Sequence, residues 1–135
     1  MDIEGKHVIL TGGSLGIGRQ TAKSLIDKGA IVLVTGRSMN RLQDNFKGCN
    51  IKKVEFDIGD LKNIELNSKK CLDLLDNKVD ILINNAGIGV RSSIEELNQK
   101  DFQDVFNVNV FGLALFTKQI IPLMKKQSAG TIINI

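Results

Sequence analysis

A glycine-rich segment near the N-terminus has the spacing needed to hold phosphate groups against the backbone. It reads Thr11-Gly12-Gly13-Ser14-Leu15-Gly16-Ile17-Gly18 and lies between an apolar run and an amphipathic stretch. Gly12 would let the chain turn sharply, Gly16 would let a ligand approach without a Cβ in the way, and Gly18 would let the next helix pack closely on a sheet. The start of that helix offers free N–H groups and the positive end of the helix dipole. The segment therefore predicts a loop that binds a dinucleotide pyrophosphate, with further contacts from Ser14, Leu15 and Ile17; the alternative is a glycine-rich turn without a ligand.

Five short apolar runs, rich in Val and Ile, alternate with longer amphipathic stretches along the chain. The runs are His7–Thr11, Ile31–Thr35, Ile51–Phe56, Val79–Ile83 and Thr131–Ile135. Runs of this kind are typical of parallel strands that helices cover on both faces. Helical periodicity extends from about Gly16 to Lys28, with Ile17 on the inward face, and further helices follow Ser38, Asp60 and Asp101. We expect an α/β doubly wound parallel sheet with strand order 3-2-1-4-5, formed by residues 1–135 as one Rossmann-type domain.

The composition excludes several classes of function. The formal net charge of +3 is spread along the chain and gives no basis for binding nucleic acid or a membrane surface. Two cysteines and one histidine form no metal-ligand pattern, so we expect free thiols and no metal site. The N-terminus lacks the basic start and apolar run of a secretory signal, and no apolar run has the length of about 18 residues that a membrane span needs. We therefore expect a cytoplasmic protein.

The residues after the second apolar run address the choice of cofactor. They are Thr35-Gly36-Arg37-Ser38, and none is acidic. A protein that prefers NAD usually has an Asp or Glu here, about 20 residues past the glycine loop, to hold the ribose hydroxyls. Arg37 can instead face a 2′-phosphate with a planar, permanently charged guanidinium. We predict NADP(H) as the preferred cofactor and NAD(H) as the alternative; a surface arginine at a helix start is the other interpretation of Arg37.

Two motifs resemble those of the short-chain dehydrogenase/reductase family. The segment Thr11 to Gly18 is similar to the family's TGxxxGIG cofactor loop, and Asn84-Asn85-Ala86-Gly87 is similar to the NNAG segment that follows its fourth strand. Leu15 stands where family members that prefer NADP often carry a basic residue. The resemblance implies a mainly structural role for Asn84 and cofactor contacts for Asn85, Ala86 and Gly87. It covers essentially the whole chain and corresponds to the N-terminal part of the family domain.

The resemblance also assigns the adenine end of the cofactor. Asp57, which follows the third apolar run together with Ile58, matches a family Asp that accepts a hydrogen bond from the adenine amino group. It implies that Asp57 and Ile58 bind the cofactor. The alternative is that Asp57 only accepts hydrogen bonds from backbone donors at the end of a strand.

The helix predicted from Asp101 to about Lys126 carries one apolar face. Residues at steps of three and four predict a face that lies on the sheet, with Asn109 within it; they are Phe102, Val105, Phe106, Gly112, Leu113, Phe116 and Ile120. The segment 107–112 resembles the family's NVNxxG, in which the matching Asn belongs to an Asn-Ser-Tyr-Lys tetrad and holds a water in a proton relay. The resemblance therefore makes Asn109 a candidate catalytic residue; an Asn bonded to nearby backbone is the alternative. This family helix also pairs with a copy of itself, which implies a homo-oligomer through Asp101 to Lys126.

The sequence stops at Ile133-Asn134-Ile135, just before the position of the family's catalytic Ser, and contains no tyrosine for its YxxxK motif. We therefore expect a C-terminally incomplete domain that lacks the last strands and helices of the family and is inactive alone. In the complete domain the family activity is hydride transfer between NADPH and a small-molecule carbonyl or secondary alcohol. A non-catalytic dinucleotide-binding or interaction module is the alternative. The substrate and the direction of the reaction stay open.

Overall fold

The computed structural model describes residues 2–135, which form one sheet of five parallel strands. The strands are β1 (His7–Leu10), β2 (Ile31–Gly36), β3 (Lys52–Glu55), β4 (Ile81–Asn84) and β5 (Thr131–Asn134). Their spatial order is β3-β2-β1-β4-β5, with Val8 of β1 in register with Val32 of β2 and Ile81 of β4. The predicted fold class and strand order are confirmed.

Helical segments connect the strands on both sides of the sheet. They are α1 (Gly16–Asp27), α2 (Met39–Asn45), a 3-10 turn (Leu61–Asn63), α3 (Ile64–Leu74), α4 (Gln99–Phe106), a π-helical segment (Asn107–Gly112) and α5 (Leu113–Lys126). Since each crossover joins two parallel strands through a helix, the chain follows the doubly wound arrangement.

The strand side chains alternate between two buried layers. One layer joins the sheet to α1 and α2, and its members include Val8, Leu10, Val34, Ala22, Leu25, Leu42 and Phe46. The other layer joins the sheet to α3 and α5, and its members include Ile9, Leu33, Leu82, Ile64, Cys71, Phe116 and Ile120. Each fully buried aliphatic or aromatic side chain contributes about 1.5–3 kcal/mol, so the two layers supply the main stabilisation of the fold.

The long helix differs from its predicted form. It is helical throughout, but the segment Asn107–Gly112 is π-helical, and Phe102 and Phe106 are each 47% exposed. A π turn contains more residues than an α turn, so apolar residues spaced by three and four on both sides of it do not share one face. Phe116 and Ile120 lie on the sheet as predicted, and Val108 is buried in place of Phe106. The prediction that Phe102 and Phe106 lie on the sheet was wrong.

The first helix needs a smaller correction. Ile17 was predicted on its inward face but is 66% exposed, whereas Gly18, Ala22 and Leu25 of α1 are buried. Ile17 precedes the closest approach of the helix to the sheet by one residue. Its side chain therefore leaves the helix toward solvent at the mouth of the glycine loop.

One helical stretch has the length and apolar composition that a membrane span requires, namely Gln99–Lys126. The core helix of a soluble protein passes the same test. One such helix is weak evidence for a membrane span, and Phe116, Ile120 and Met124 of this stretch are buried against the sheet and α3.

Burial also determines the chemistry of one cysteine. Both Cys49 and Cys71 are free thiols, and Cys71 is fully buried under the sheet. Burial raises the pKa of Cys71 to about 12, because the thiolate would lose its hydration. The Cys71 thiol therefore stays protonated at neutral pH and acts as a small apolar side chain.

Gly112 is required where the long helix approaches the chain segment that follows β3. A Cβ at this position would overlap the carbonyl oxygen of Ile58, and a backbone atom can move away only if the main chain shifts. We expect Gly112→Ala to lower the free energy of unfolding by at least about 1 kcal/mol, because the overlap outweighs the helix propensity that Ala adds. Urea denaturation measures the change.

Gly89→Ala is the matched control for this prediction. A Cβ at Gly89 would meet no atom within 4 Å, so its expected effect is within about 0.5 kcal/mol. Equal stabilities for the two variants would show that the close contact at Gly112 is not limiting.

Candidate functional site

A cavity of about 450 Å³ opens at the carboxyl ends of β1 to β4. It lies where the strand order reverses between β1 and β4, the position at which open α/β sheets bind ligands. Every residue predicted to bind the cofactor lines it: Gly12, Ser14, Leu15, Gly16, Ile17, Gly18, Arg37, Asp57, Ile58, Asn85, Ala86 and Gly87. The lining residues to which the sequence analysis gave no cofactor contact are Thr35, Gly36, Phe56, Ile88 and Val108. The structure thus brings five separate segments together around one space.

The glycine loop has the geometry expected from its sequence. Gly12 adopts a φ of +70°, and a Cβ there would lie 2.7 Å from the Cα of Ala86. A Cβ on Gly18 would overlap the Gly12 carbonyl oxygen and the Asn85 amide nitrogen. Gly16 has a φ of +51°, and a Cβ there would meet no atom within 4 Å. The loop is therefore pressed against the segment after β4 at Gly12 and Gly18 and is open at Gly16.

The N-terminus of α1 faces this cavity without a side-chain cap. Leu15 occupies the N-cap position, its side chain accepts no hydrogen bond, and the first turn of α1 has no acidic residue. By contrast, Ser38 caps α2 and Asn98 caps α4 through their side chains. The first N–H groups of a helix need acceptors, and a phosphate is well suited to supply them. The uncapped α1 terminus and the open space at Gly16 fit a dinucleotide pyrophosphate.

Thr11 joins the glycine loop to the segment after β4. Its side chain is completely buried, and its Oγ1 accepts hydrogen bonds from the backbone N–H groups of Asn85 and Ala86, both at 3.1 Å. The Asn85 Nδ2 in turn donates to the carbonyl oxygens of Thr11 at 3.1 Å and Gly12 at 3.0 Å. This role of Thr11 was missed by the sequence analysis, although a Thr that directly precedes the loop glycine was its visible signal.

Asn84 has the structural position that the family resemblance implies. It is 2% exposed, and its Nδ2 donates to Thr117 Oγ1 and to Asn134 Oδ1, each at 2.9 Å. Asn134 is its register partner on β5. The side chain of Asn84 therefore ties β4 to β5 and α5.

Asn109 holds the loop that follows β4. Its Oδ1 accepts the N–H of Ile88 and its Nδ2 donates to the Ile88 carbonyl oxygen, both at 2.9 Å. The backbone-bonded alternative considered for Asn109 is thus present in the structure. Because Ile88 lines the cavity, Asn109 positions one of its walls from within the π-helical segment.

Asp57 and Arg37 border the cavity at the ends of β3 and β2. The Oδ1 of Asp57 accepts the N–H of Gly59 at 2.8 Å, so this carboxylate satisfies a backbone donor as its alternative interpretation stated. Arg37 is exposed, and across residues 2–135 no carboxylate lies within ion-pair distance of it. Its guanidinium is therefore available to an anion at the cavity.

A comparison of the whole sequence with known protein families supports the same assignment as the motifs around the cavity. The sequence profile described as short chain dehydrogenase matches residues 6–135. The chain belongs to the short-chain dehydrogenase/reductase family. The glycine loop, the Asn84–Gly87 segment and the Asn109 helix of this short-chain dehydrogenase/reductase are thus arranged around one cavity.

Characterised and solved relatives of this family extend further than the chain. A 3-oxoacyl-(acyl-carrier-protein) reductase of Vibrio harveyi is 33% identical over 137 residues, which cover 100% of this chain and 56% of that protein. A family member from Burkholderia phymatum, solved in complex with NAD, is 26% identical with a TM-score of 0.90, over 99% of this chain and 50% of that one. The L-sorbose reductase of Gluconobacter frateurii, complexed with NADPH and L-sorbose, is 25% identical with a TM-score of 0.89, over 99% and 54%. The chain spans about half the length of these relatives.

The hydroxyl of Thr11 is expected to be essential for the stability of the site. Thr11→Val keeps the shape but leaves the N–H groups of Asn85 and Ala86 without their acceptor. Each unsatisfied donor costs about 1–3 kcal/mol, so we expect the free energy of unfolding to fall by at least about 2 kcal/mol in chemical denaturation.

Thr11→Ser is the matched control, because it retains the hydroxyl and removes only a methyl group, at a cost of about 1 kcal/mol. A loss in the Ser variant as large as that in the Val variant would show that packing, and not the hydrogen bonds, explains the effect.

Proposed function

We propose that this short-chain dehydrogenase/reductase segment binds NADP(H) in the cavity at the carboxyl ends of β1 to β4. The observation that carries the proposal is the uncapped N-terminus of α1, which faces the cavity beside the open backbone of Gly16. Backbone N–H groups and the positive dipole end of a 12-residue helix favour the pyrophosphate that NADP(H) and NAD(H) share.

The remaining contacts follow from where each segment reaches the cavity. Ser14, Leu15 and Ile17 surround the pyrophosphate together with the loop glycines. Asn85, Ala86 and Gly87 border the ribose on the nicotinamide side, and Asp57 and Ile58 receive the adenine. All of these residues line the same space, which supports one extended ligand across it.

Arg37 supports NADP(H) over NAD(H). It directly follows β2, lines the cavity and is free of ion pairs in the part of the chain that the structure describes. A guanidinium binds a phosphate with two parallel hydrogen bonds, whereas it gives little to a ribose hydroxyl. Relatives with this fold have been solved with NAD and with NADPH, so the fold accommodates both cofactors. We therefore attribute the preference of this chain to the side chains that follow β2.

For the complete protein we propose hydride transfer in the cytoplasm, either from NADPH to a carbonyl substrate or from a secondary alcohol to NADP+. The bound nicotinamide supplies or accepts the hydride. The chain's own residues hold and orient it: the Thr11 network fixes the loop, and Asn109 fixes Ile88 at the cavity wall. We also propose that Asn109 positions a water for proton transfer in the complete site.

The chain contains no tyrosine, so it has no phenol hydroxyl to protonate a carbonyl oxygen. That observation favours a second candidate function, a dinucleotide-binding or interaction module without catalysis. The reading frame past Ile135 separates the two candidates: a continuation into a Ser-Ser segment and a Tyr-x-x-x-Lys motif supports the reductase, and a stop codon supports the module.

We further propose a homo-oligomer through the long helix Asp101 to Lys126. Four large apolar side chains on this helix are each 46–48% exposed: Phe102, Phe106, Val110 and Phe111. The rings of Phe106 and Phe111 lie 6.3 Å apart and form the centre of this apolar face. The π-helical segment turns these residues away from the sheet, and pairing with a second copy would cover them.

Replacement of Arg37 tests the cofactor preference. We expect Arg37→Gln to weaken NADP binding by about 10- to 100-fold in calorimetric titration, because a charge-assisted hydrogen-bonded pair contributes about 1.5–3 kcal/mol. NAD binding should change by less than about twofold. Arg91→Gln, in the exposed loop after β4 and outside the cavity lining, is the control. Tighter binding of NAD than of NADP by the unmodified protein would contradict the proposed preference.

The oligomer is tested at the centre of the exposed apolar face. We expect Phe106→Glu to convert the sedimenting species to a monomer, because association would bury an unpaired carboxylate from each copy at this position. Leu66→Glu places the same change on α3, where Leu66 is 54% exposed, and should leave the association unchanged. A monomeric unmodified protein would refute the proposed assembly.

A further inference from the structure

Glu55 lies beside the segment that carries Arg37. It is the last residue of β3 and is exposed, and its carboxylate accepts the backbone N–H of Met39 at 2.6 Å. The Glu55 carboxylate therefore binds the backbone only two residues after Arg37.

The register of the sheet places Glu55 on the cofactor-loop side. Glu55 pairs with Gly36 of β2, and side chains at paired positions of parallel strands leave the sheet on the same face. A Cβ on Gly36 would lie 3.3 Å from both the Cβ and the Oγ of Ser14, a residue of the glycine loop. Glu55 thus stands on the same side of the sheet as the loop, next to the end of β2.

The carboxylate of Glu55 forms no ion pair in the part of the chain that the structure describes. Across residues 2–135 no Lys, Arg or His lies within ion-pair distance of its carboxylate. The carboxylate and Arg37 therefore present opposite charges from two adjacent strand ends.

We propose that Glu55 is a specificity-determining residue. Its negative charge beside the Arg37–Met39 segment weakens NADP binding and so reduces the preference for NADP over NAD. The inference rests on the proposed binding of NADP(H) at this cavity. A 2′-phosphate at Arg37 carries up to two negative charges, and the Glu55 carboxylate repels them, whereas the ribose hydroxyls of NAD carry none. Glu55 thereby opposes the effect of Arg37 without occupying the cavity.

The hydrogen bond and the charge of Glu55 can be separated by substitution. Glu55→Gln keeps an oxygen that accepts the Met39 N–H and removes the charge. We expect it to tighten NADP binding by about three- to tenfold at low ionic strength, with NAD binding within about twofold of the unmodified protein. The gain should shrink at about 1 M salt, where charges are screened beyond about 3 Å.

Two further variants make the result specific. Glu55→Asp keeps the negative charge and should retain the unmodified ratio of NADP to NAD affinity within about twofold. Glu4→Gln changes the net charge equally near Gly29, before the start of β2 and at the opposite end of the sheet, and should also leave the ratio unchanged.

The outcomes distinguish this inference from the proposed function. An unchanged NADP-to-NAD ratio in Glu55→Gln, or equal tightening of both dinucleotides, overturns the role of Glu55 and leaves NADP(H) binding intact. A loss of NADP affinity in Glu55→Gln also overturns it. If the unmodified protein binds neither dinucleotide, the proposed function itself fails.

Discussion

The hydroxyl of Thr11 is the contact on which the rest of the site depends. It sits fully buried at the end of β1 and accepts two N–H groups from the chain that leaves β4. Without it, two partly buried N–H donors would have no acceptor where the two chain segments diverge. The Asn85 amide donates two hydrogen bonds to the carbonyl oxygens of Thr11 and Gly12. The glycine loop and the segment after β4 therefore each donate to or accept from the other. Gly12 and Gly18 must lack side chains because these two segments lie so close together.

The opposite wall of the cavity depends on a second close approach. Gly112 lets the long helix meet the Ile58 carbonyl, and the π-helical segment before it directs Asn109 toward Ile88. An uninterrupted α-helix would carry the apolar stripe of Phe102 and Phe106 onto the sheet. With the π segment, Asn109 forms hydrogen bonds with the loop after β4, and the rings of Phe102 and Phe106 stay exposed. Local irregularities of this kind often accompany functional sites.

The parts of the molecule that the sequence predicted are those set by local pattern. Strand order follows from alternating strands and helices, and the cavity lining follows from motifs that end consecutive strands. The position of Ile17 was wrong because periodicity does not account for the first turn of a helix, where the chain enters from the loop. The positions of Phe102 and Phe106 were wrong because periodicity assumes an α-helix without a π-helical interruption. The Thr11 network and the Glu55–Met39 bond were not predicted, because each joins residues far apart in sequence whose approach only the packed sheet determines.

In the proposed function, recognition of the pyrophosphate and selection between the two cofactors have different physical origins. The first relies on backbone N–H groups and missing side chains, which close packing around Thr11, Gly12 and Gly18 holds in place. Substitutions there disturb folding before they alter selectivity. The second relies on exposed charges at the ends of β2 and β3, which are screened by salt. Exposed charges contribute only about 1 kcal/mol or less to the stability of a folded protein. Substitutions at Arg37 or Glu55 can therefore change selectivity at little cost to the free energy of unfolding. In the proposed function, the preference for a 2′-phosphate is therefore a balance between the charges of Arg37 and Glu55.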